Sequence, residues 1–141
     1  GITKEDVILA TDKIVPCFEI VDSRIDDWKI KIQDTIADNA SCGIFVLGEG
    51  SSSPEKFPMD ELEVVVHKNG EFLSSGLGSA VQGHPAEAVA WLANTLGEYD
   101  IPLLKGEFIL SGSLVPLEPA IAGDSFSLEL KGVGTCEINF I

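Results

Sequence analysis

Glu19 is the residue whose chemistry is hardest to reconcile with its neighbours in this 141-residue sequence. Residues 14–21 are mostly β-branched, aromatic or otherwise apolar, which predicts a buried strand. Side chains alternate along a strand, so Glu19 shares a face with Cys17 and Val21, and both faces are apolar. A buried carboxylate is strongly destabilised unless it is paired, protonated or bound to a metal.

Two interpretations of Glu19 remain open from the residues alone. In the first, Arg24 forms a structural ion pair with the carboxylate. In the second, Glu19 binds a metal or takes part in catalysis, because buried carboxylates cluster at functional sites.

Asp38 is a second candidate for acid–base chemistry. It lies four residues after Asp34, so a helix would place both carboxylates on one face. In a loop, Asp38-Asn39 would instead form an ordinary turn. The first arrangement would place an acid or base beside a cavity lined by small residues.

Ser111, Gly112 and Ser113 follow the apolar residues 108–110 at the end of a predicted strand, 107–111. Two hydroxyls and the open backbone of a glycine can together hold a substrate carboxylate. The alternative is a simple transition from strand to loop.

Other acidic and imidazole groups are given no site role. Glu61 and Glu63 would share a strand face, but the position favours a solvated acidic edge of a hairpin. His67 and His84 have no partner at ligand spacing. The sequence contains no phosphate-binding loop, dinucleotide fingerprint or paired-cysteine motif.

The composition predicts one globular domain and excludes several classes of partner. Hydrophobic residues make up 45% and charged residues 23% of the chain. Nine Lys and Arg against 23 Asp and Glu give a net charge of −14, which disfavours nucleic acid and anionic membranes. No apolar run is long enough to span a bilayer. Three cysteines without zinc or redox spacing favour a reducing cytoplasm.

Local signals predict the elements that must position these side chains. Thr3 and Asp6 resemble a capping box for a helix over 4–12. Asn69-Gly70 between strand-like runs 62–67 and 71–75 predicts a tight hairpin. A helix is predicted over 85–97, and strands over 43–48, 125–130 and 134–140. The predicted class is α+β, dominated by strands and containing a few helices.

Several long motifs carry a resemblance to a known family: CFEIVDSRI at 17–25, DWKIKIQDTIADNASCG at 27–43, AWLANTLG at 90–97 and GEFILSGSL at 106–114. They resemble the 2-keto-4-pentenoate (2-hydroxypenta-2,4-dienoate) hydratases of bacterial aromatic meta-cleavage pathways. These belong to the fumarylacetoacetate hydrolase superfamily, which implies a mixed β-structure wrapped by helices. A sibling, 4-oxalocrotonate decarboxylase, shares much of the pattern.

The resemblance implies a divalent metal site to which Glu19 contributes. Members bind Mg²⁺ or Mn²⁺ through three carboxylates, two of them in an E-x-E strand of the first half of the protein. The third is the Glu of the E-[IV]-V-D-S-R motif, which is Glu19 here. The catalytic Lys of the family also lies in the first half. Residues 1–141 are therefore interpreted as a single domain, the C-terminal catalytic portion of a longer hydratase.

In a hypothetical mechanism for the complete enzyme, the other candidates also take roles. Asp38 would act as the acid or base, while Ser111, Gly112 and Ser113 would contact the substrate carboxylate. Asp22 and Arg24 would lie behind the site, where Arg24 orients Glu19 or Asp22.

The implied reaction adds water to a short 2-hydroxy-2,4-dienoate and yields 4-hydroxy-2-oxopentanoate from the five-carbon substrate. Two alternatives remain: metal-assisted decarboxylation by the sibling enzyme, and a non-catalytic accessory domain or fragment. Family members form homo-oligomers and can associate with the pathway decarboxylase, so both partners are expected here.

Overall fold

The computed structural model describes residues 1–141 and contains three α-helices and seven strands. The helices are α1 (Lys4–Ala10), α2 (Ile32–Ala37) and α3 (Pro85–Gly97). The strands are β1 (Cys17–Val21), β2 (Cys42–Leu47), β3 (Glu49–Gly50), β4 (Glu63–Lys68), β5 (Glu71–Leu77), β6 (Ser125–Leu130) and β7 (Gly134–Asn139). Three short 3₁₀ helices span Asp26–Trp28, Asn39–Ser41 and Gly78–Ala80. This confirms the predicted strand-dominated α+β class.

The larger sheet has five antiparallel strands in the order β3-β7-β6-β4-β5. The β4–β5 hairpin turns at Asn69-Gly70, where both residues have positive φ, as a tight two-residue turn requires. The core lies on this sheet around Val64, Val66 and Leu128. Burial of these apolar side chains is the main force that holds the strands together.

The smaller sheet consists of β1 and β2, which run antiparallel. One of its faces carries Phe18 and Val46, which pack against the core of the larger sheet. The Cys136 thiol also reaches the Val46 carbonyl at 3.5 Å. The core of the larger sheet therefore fixes the strand that carries Glu19.

Most predicted elements are confirmed, with shifted ends. Thr3 caps α1, and its capping box with Asp6 is complete. Pro16 lies just before β1, so the strand is shorter than the predicted 14–21. The hairpin, α3 and the two C-terminal strands lie where the sequence placed them.

The predicted strand over 107–111 is wrong. The whole of 101–124 contains neither helix nor strand, and Phe108 is 58% exposed. A strand needs a neighbour to receive its backbone hydrogen bonds. No strand of this chain pairs with 107–111, so the apolar run follows an irregular path.

Asp124 ties the end of the hairpin to the irregular segment. Its carboxylate accepts hydrogen bonds from Asn69 Nδ2 at 2.9 Å and from the Ile121 backbone N–H at 3.0 Å. Lys68 Nζ lies 3.2 Å away. The bonds from Asn69 and Ile121 lower the pKa of Asp124; burial opposes them, and Lys68 adds to the lowering.

Asp124→Asn is expected to lower Tm by about 5 °C at neutral pH and by much less in acid. A carboxyl whose pKa is lower in the folded state stabilises the fold above its unfolded pKa, about 3.9. That contribution disappears as the pH falls through the folded value. Thermal melting from pH 7 to about pH 2 measures the difference in Tm between the variant and the unsubstituted protein at each pH. Glu118→Gln is the matched control, since Glu118 also contacts Lys68 at 3.3 Å but lacks the other partners. Equal deficits for Asp124→Asn at both ends of the range would contradict the prediction.

Candidate functional site

Glu19 is exposed at the middle of β1, opposite Phe45 of β2. The prediction that its carboxylate is buried among apolar groups is therefore wrong for this chain. Only the face of the small sheet that carries Phe18 packs on the core. Glu19 lies on the other face, where Phe45 beside it packs against the Phe108 ring with centroids 5.9 Å apart and is still 42% exposed.

Glu19 lies near the Cys42 thiol of the partner strand. Burial raises the pKa of Cys42, and a hydrogen bond and the negative charge of Glu19 raise it further. A bulge between β1 and β2 brings the two side chains together, because Ile20 pairs with Ile44 whereas Val21 pairs with Cys42. Cys42 thus takes the place on the Glu19 face that strict alternation would give to Gly43.

Arg24 pairs with Asp38 and not with Glu19. Its Nε lies 2.5 Å from Asp38 Oδ1, and its backbone N–H donates to Asp38 Oδ2 at 3.1 Å. The Ser41 hydroxyl donates to the same Oδ2 at 3.0 Å. The ion-pair interpretation of Glu19 is therefore wrong, and the predicted orienting contact from Arg24 to the side chains of Glu19 or Asp22 is absent.

The Asp38 carboxylate is engaged at both oxygens, and its side chain is 11% exposed. Burial opposes its ionisation, but hydrogen bonds from Arg24 and Ser41 and the charge of Arg24 outweigh burial and lower the pKa of Asp38. α2 ends at Ala37, and Asp38 is its C-terminal cap. Asp34 caps the start of this helix by accepting from the Lys31 N–H at 2.9 Å, so the two acids have separate structural tasks. The acid–base role of Asp38 stays a prediction.

A wide, open cleft lined by 61 residues includes most of the remaining candidates. Glu19, Asp22 and the segment 111–113 all line it, whereas Arg24 and Asp38 do not. Its volume is about 2610 Å³, several times the roughly 300–1,000 Å³ of a small-molecule site. Glu19 and the segment 111–113 therefore line the same cleft, which is much larger than a short dienoate requires.

The segment 111–113 presents unused backbone donors. The N–H groups of Ser111, Gly112 and Ser113 donate no hydrogen bond within the chain. The Ser113 hydroxyl is already committed, because it donates to the Val115 carbonyl at 2.6 Å. The three N–H groups and the Ser111 hydroxyl are thus the donors that remain for an anion.

This chain offers one of the ligands that a divalent metal site needs. Glu19 offers a hard, exposed oxygen ligand of the kind that Mg²⁺ prefers. No group of three or more His, Cys, Asp or Glu side chains converges anywhere in residues 1–141. Glu63 is instead paired with Lys131 at 2.8 Å.

Sequence reasoning missed Ser41 and Cys42. Ser41 is 1% exposed and belongs to a turn in which Asn39, Ala40 and Ser41 all have left-handed backbone angles. The run of small and polar residues after Asp38 was the available signal, but it indicated only a loop.

None of the helices is long and apolar enough to cross a membrane.

Residues 5–141 match the family described as fumarylacetoacetate (FAA) hydrolase C-terminal. The chain is 62% identical over 140 residues to 2-hydroxyhexa-2,4-dienoate hydratase of Comamonas testosteroni, covering 99% of this chain and 53% of that protein. It is 44% identical over 138 residues to 2-keto-4-pentenoate hydratase of Paraburkholderia xenovorans, covering 98% of this chain and 51% of that protein. The chain thus spans about half the length of the relatives it matches.

Solved structures give a matching fold. A 4-oxalocrotonate decarboxylase from Pseudomonas putida G7, complexed with magnesium and adipate, superposes with a TM-score of 0.94 at 38% identity. The match covers 98% of this chain and 52% of that one. The same enzyme complexed with calcium and acetate gives a TM-score of 0.88.

Proposed function

This chain belongs to the fumarylacetoacetate hydrolase C-terminal family, and on that premise we propose that it forms the C-terminal portion of a metal-dependent hydratase. The substrate would be a short 2-hydroxy-2,4-dienoate of the kind named for its relatives. The observation that carries the proposal is 62% identity to a hydratase over nearly the whole chain, against 38% to the decarboxylase.

Glu19 would contribute one oxygen ligand to the cation, and other groups would complete the site. A divalent cation supplies Lewis-acid stabilisation of the enolate oxygen that develops during such a reaction. Mg²⁺ is the ion we favour, since a similar structure contains it, and Mn²⁺ is the second choice.

The segment 111–113 would hold the substrate carboxylate. Its free N–H groups and the Ser111 hydroxyl are suitable donors, and they line the same cleft as Glu19. This placement would orient the diene so that a proton reaches carbon 5 and water adds at carbon 4, with ketonisation of the enol. Asp22 lines the cleft as well and would lie behind Glu19.

Assembly and location are further parts of the proposal. Exposed apolar side chains outside the cleft, such as Trp91 (60%), support a homo-oligomer. Association with the decarboxylase of a catabolic pathway for aromatic compounds is part of the same proposal, and the family resemblance implies it. Three free thiols support a reducing cytoplasm.

A chimera tests the proposed function. Residues 1–141 would replace the matching 53% of the Comamonas testosteroni hydratase, to which they are 62% identical. With Mg²⁺ and 2-hydroxypenta-2,4-dienoate, the chimera is expected to form 4-hydroxy-2-oxopentanoate at a rate within about tenfold of the parent hydratase, because the substituted half is closely similar.

The competing functions predict different products from the same protein. Release of CO₂ from 4-oxalocrotonate, without hydration of the dienoate, would replace the hydratase by a decarboxylase. A folded chimera without either activity would favour the accessory-domain alternative and overturn the proposal.

A further inference from the structure

We infer that Arg24 and Asp38 act together as a clamp that positions the Glu19 strand, and that Asp38 serves the reaction through this clamp and not as its base. The inference rests on the proposed function. Arg24 donates five hydrogen bonds, two to the Asp38 carboxylate and three to backbone carbonyls. The carbonyls belong to Asp22, Asp38 and Cys42, at 3.1, 2.6 and 2.9 Å.

These carbonyls belong to three separate segments. Asp22 directly follows β1, Asp38 caps α2, and Cys42 begins β2. One guanidinium therefore joins the end of the Glu19 strand to the start of its only partner strand. An isolated exposed ion pair stabilises little, but a fork of bonds to fixed carbonyls is directional.

The clamp closes beside the bulge that sets the register of the two strands. Gly43 is the extra residue, and a Cβ there would lie 2.9 Å from the Ile20 carbonyl oxygen. Because of the bulge, Cys42 faces Glu19. A slip of one residue would move Cys42 to the opposite face, away from Glu19.

The turn between Asp38 and Cys42 is strained and needs such a restraint. Asn39, Ala40 and Ser41 have φ of 52°, 56° and 56°, a left-handed run that non-glycine residues rarely adopt. The Ser41 hydroxyl and N–H both bond to Asp38, and the Ser41 carbonyl accepts from the N–H of Asp22 at 2.8 Å. Asp38 thus holds the turn from one side and Arg24 from the other.

The position of Asp38 argues against direct proton transfer. Its oxygens face Arg24 and Ser41, and it does not line the cleft that contains Glu19 and the 111–113 segment. A base must reach the proton that it removes, directly or through one water. A carboxylate that already accepts three hydrogen bonds and lies outside the cleft suits positioning better.

The variants Arg24→Ala and Asp38→Asn in the chimera distinguish a positioning role of the Arg24–Asp38 clamp from a role of Asp38 as catalytic base. A clamp predicts that each variant loses about 10–100-fold in kcat or in Mg²⁺ affinity, the cost typical of residues that orient a ligand. The double variant is expected to lose no more than either single variant, and the limbs of the pH profile of kcat stay in place. A base predicts a loss of about 10²–10⁴-fold for Asp38→Asn alone, with disappearance of one limb.

Hydrogen exchange gives a readout that does not depend on turnover. The backbone amides of Asp22 and Ser41 should exchange at least about tenfold faster in both variants, because each bond in the turn depends on the clamp. Asp27→Asn breaks the exposed Asp27–Lys29 pair (2.8 Å) in the same segment and should change neither exchange nor kcat. If Arg24→Ala does not fold, Arg24→Lys is used in its place, because it keeps the positive charge but lacks the several N–H donors of the guanidinium.

The outcomes are distinguishable from failure of the proposed function. An inactive but folded wild-type chimera refutes the hydratase, and exchange at Asp22 and Ser41 still decides the clamp. Unchanged exchange in the Arg24 variant, or loss of a pH limb in Asp38→Asn alone, would overturn the inference.

Discussion

Replacing Glu19 by Gln in the chimera is expected to lower the apparent Mg²⁺ affinity by at least about 100-fold, since groups that merely support a ligand already contribute about 10–100-fold. The amide keeps the size of the side chain but loses its charge, and affinity for hard cations follows the charge of the ligands. Turnover at a fixed low Mg²⁺ concentration should fall in proportion. Because Glu19 is exposed on its strand, the fold should survive the change.

Two measurements check this prediction. Isothermal titration with Mg²⁺ gives the affinity directly, and the Mg²⁺ dependence of hydration gives it through the reaction. Glu61→Gln is the matched control, since Glu61 is an exposed carboxylate that lies outside the proposed site. Equal Mg²⁺ affinity in the Glu19 and Glu61 variants would remove Glu19 from the metal site.

Elements that depend on neighbouring residues were predictable from the sequence. The Asn69-Gly70 turn needs only two residues that tolerate positive φ between strand-forming runs. The helix α3 has Pro85 at its first position and apolar residues at helical spacing, and His84 caps it by accepting from the Ala86 N–H at 3.0 Å. Such signals act within a few residues and do not depend on contacts with the rest of the protein.

Features that depend on distant surfaces were not predictable. The apolar residues 108–110 look like a strand, but a strand exists only where a partner strand accepts its hydrogen bonds. The prediction that Glu19 is buried was wrong for a related reason. Alternation shows which side chains share a face, but only tertiary packing decides which face is covered.

The roles given to the candidate site residues stay predictions. Local patterns and motif resemblance singled out Glu19 and the 111–113 segment, and both line one wide cleft. The sequence could not show that Arg24 forms an ion pair with Asp38. The two residues are 14 positions apart, and the turn between them has unusual backbone angles. That contact is a consequence of the folded turn, which no local propensity indicates.

Residues 1–141 expressed alone are expected to hydrate the dienoate at least about 1,000-fold more slowly than the chimera. A bound cation contributes roughly 4 kcal/mol of transition-state stabilisation, and each 1.4 kcal/mol is about tenfold in rate. This chain offers Glu19 but no converging set of ligands, whereas Mg²⁺ usually takes six oxygens.

The wide cleft supports the same expectation from packing. Its volume of about 2610 Å³ and its largely apolar lining suit a polypeptide surface better than a dienoate alone. Phe108 and Ile109, which line it, remain 58% and 38% exposed. Burial of such residues against further chain would stabilise the protein and exclude water from the site.

Activity and light scattering of the isolated chain, with and without the remaining half of the Comamonas testosteroni hydratase supplied in trans, test this expectation together. Alone, the chain should self-associate through its exposed apolar side chains and show no Mg²⁺-dependent hydration. Addition of the other half should restore turnover only if the cleft accepts it, and the Glu19→Gln chain should bind that half equally well without restoring turnover. A monomeric isolated chain with chimera-like activity would mean that one carboxylate and the 111–113 donors suffice, and the proposal of a site completed by further residues would fail.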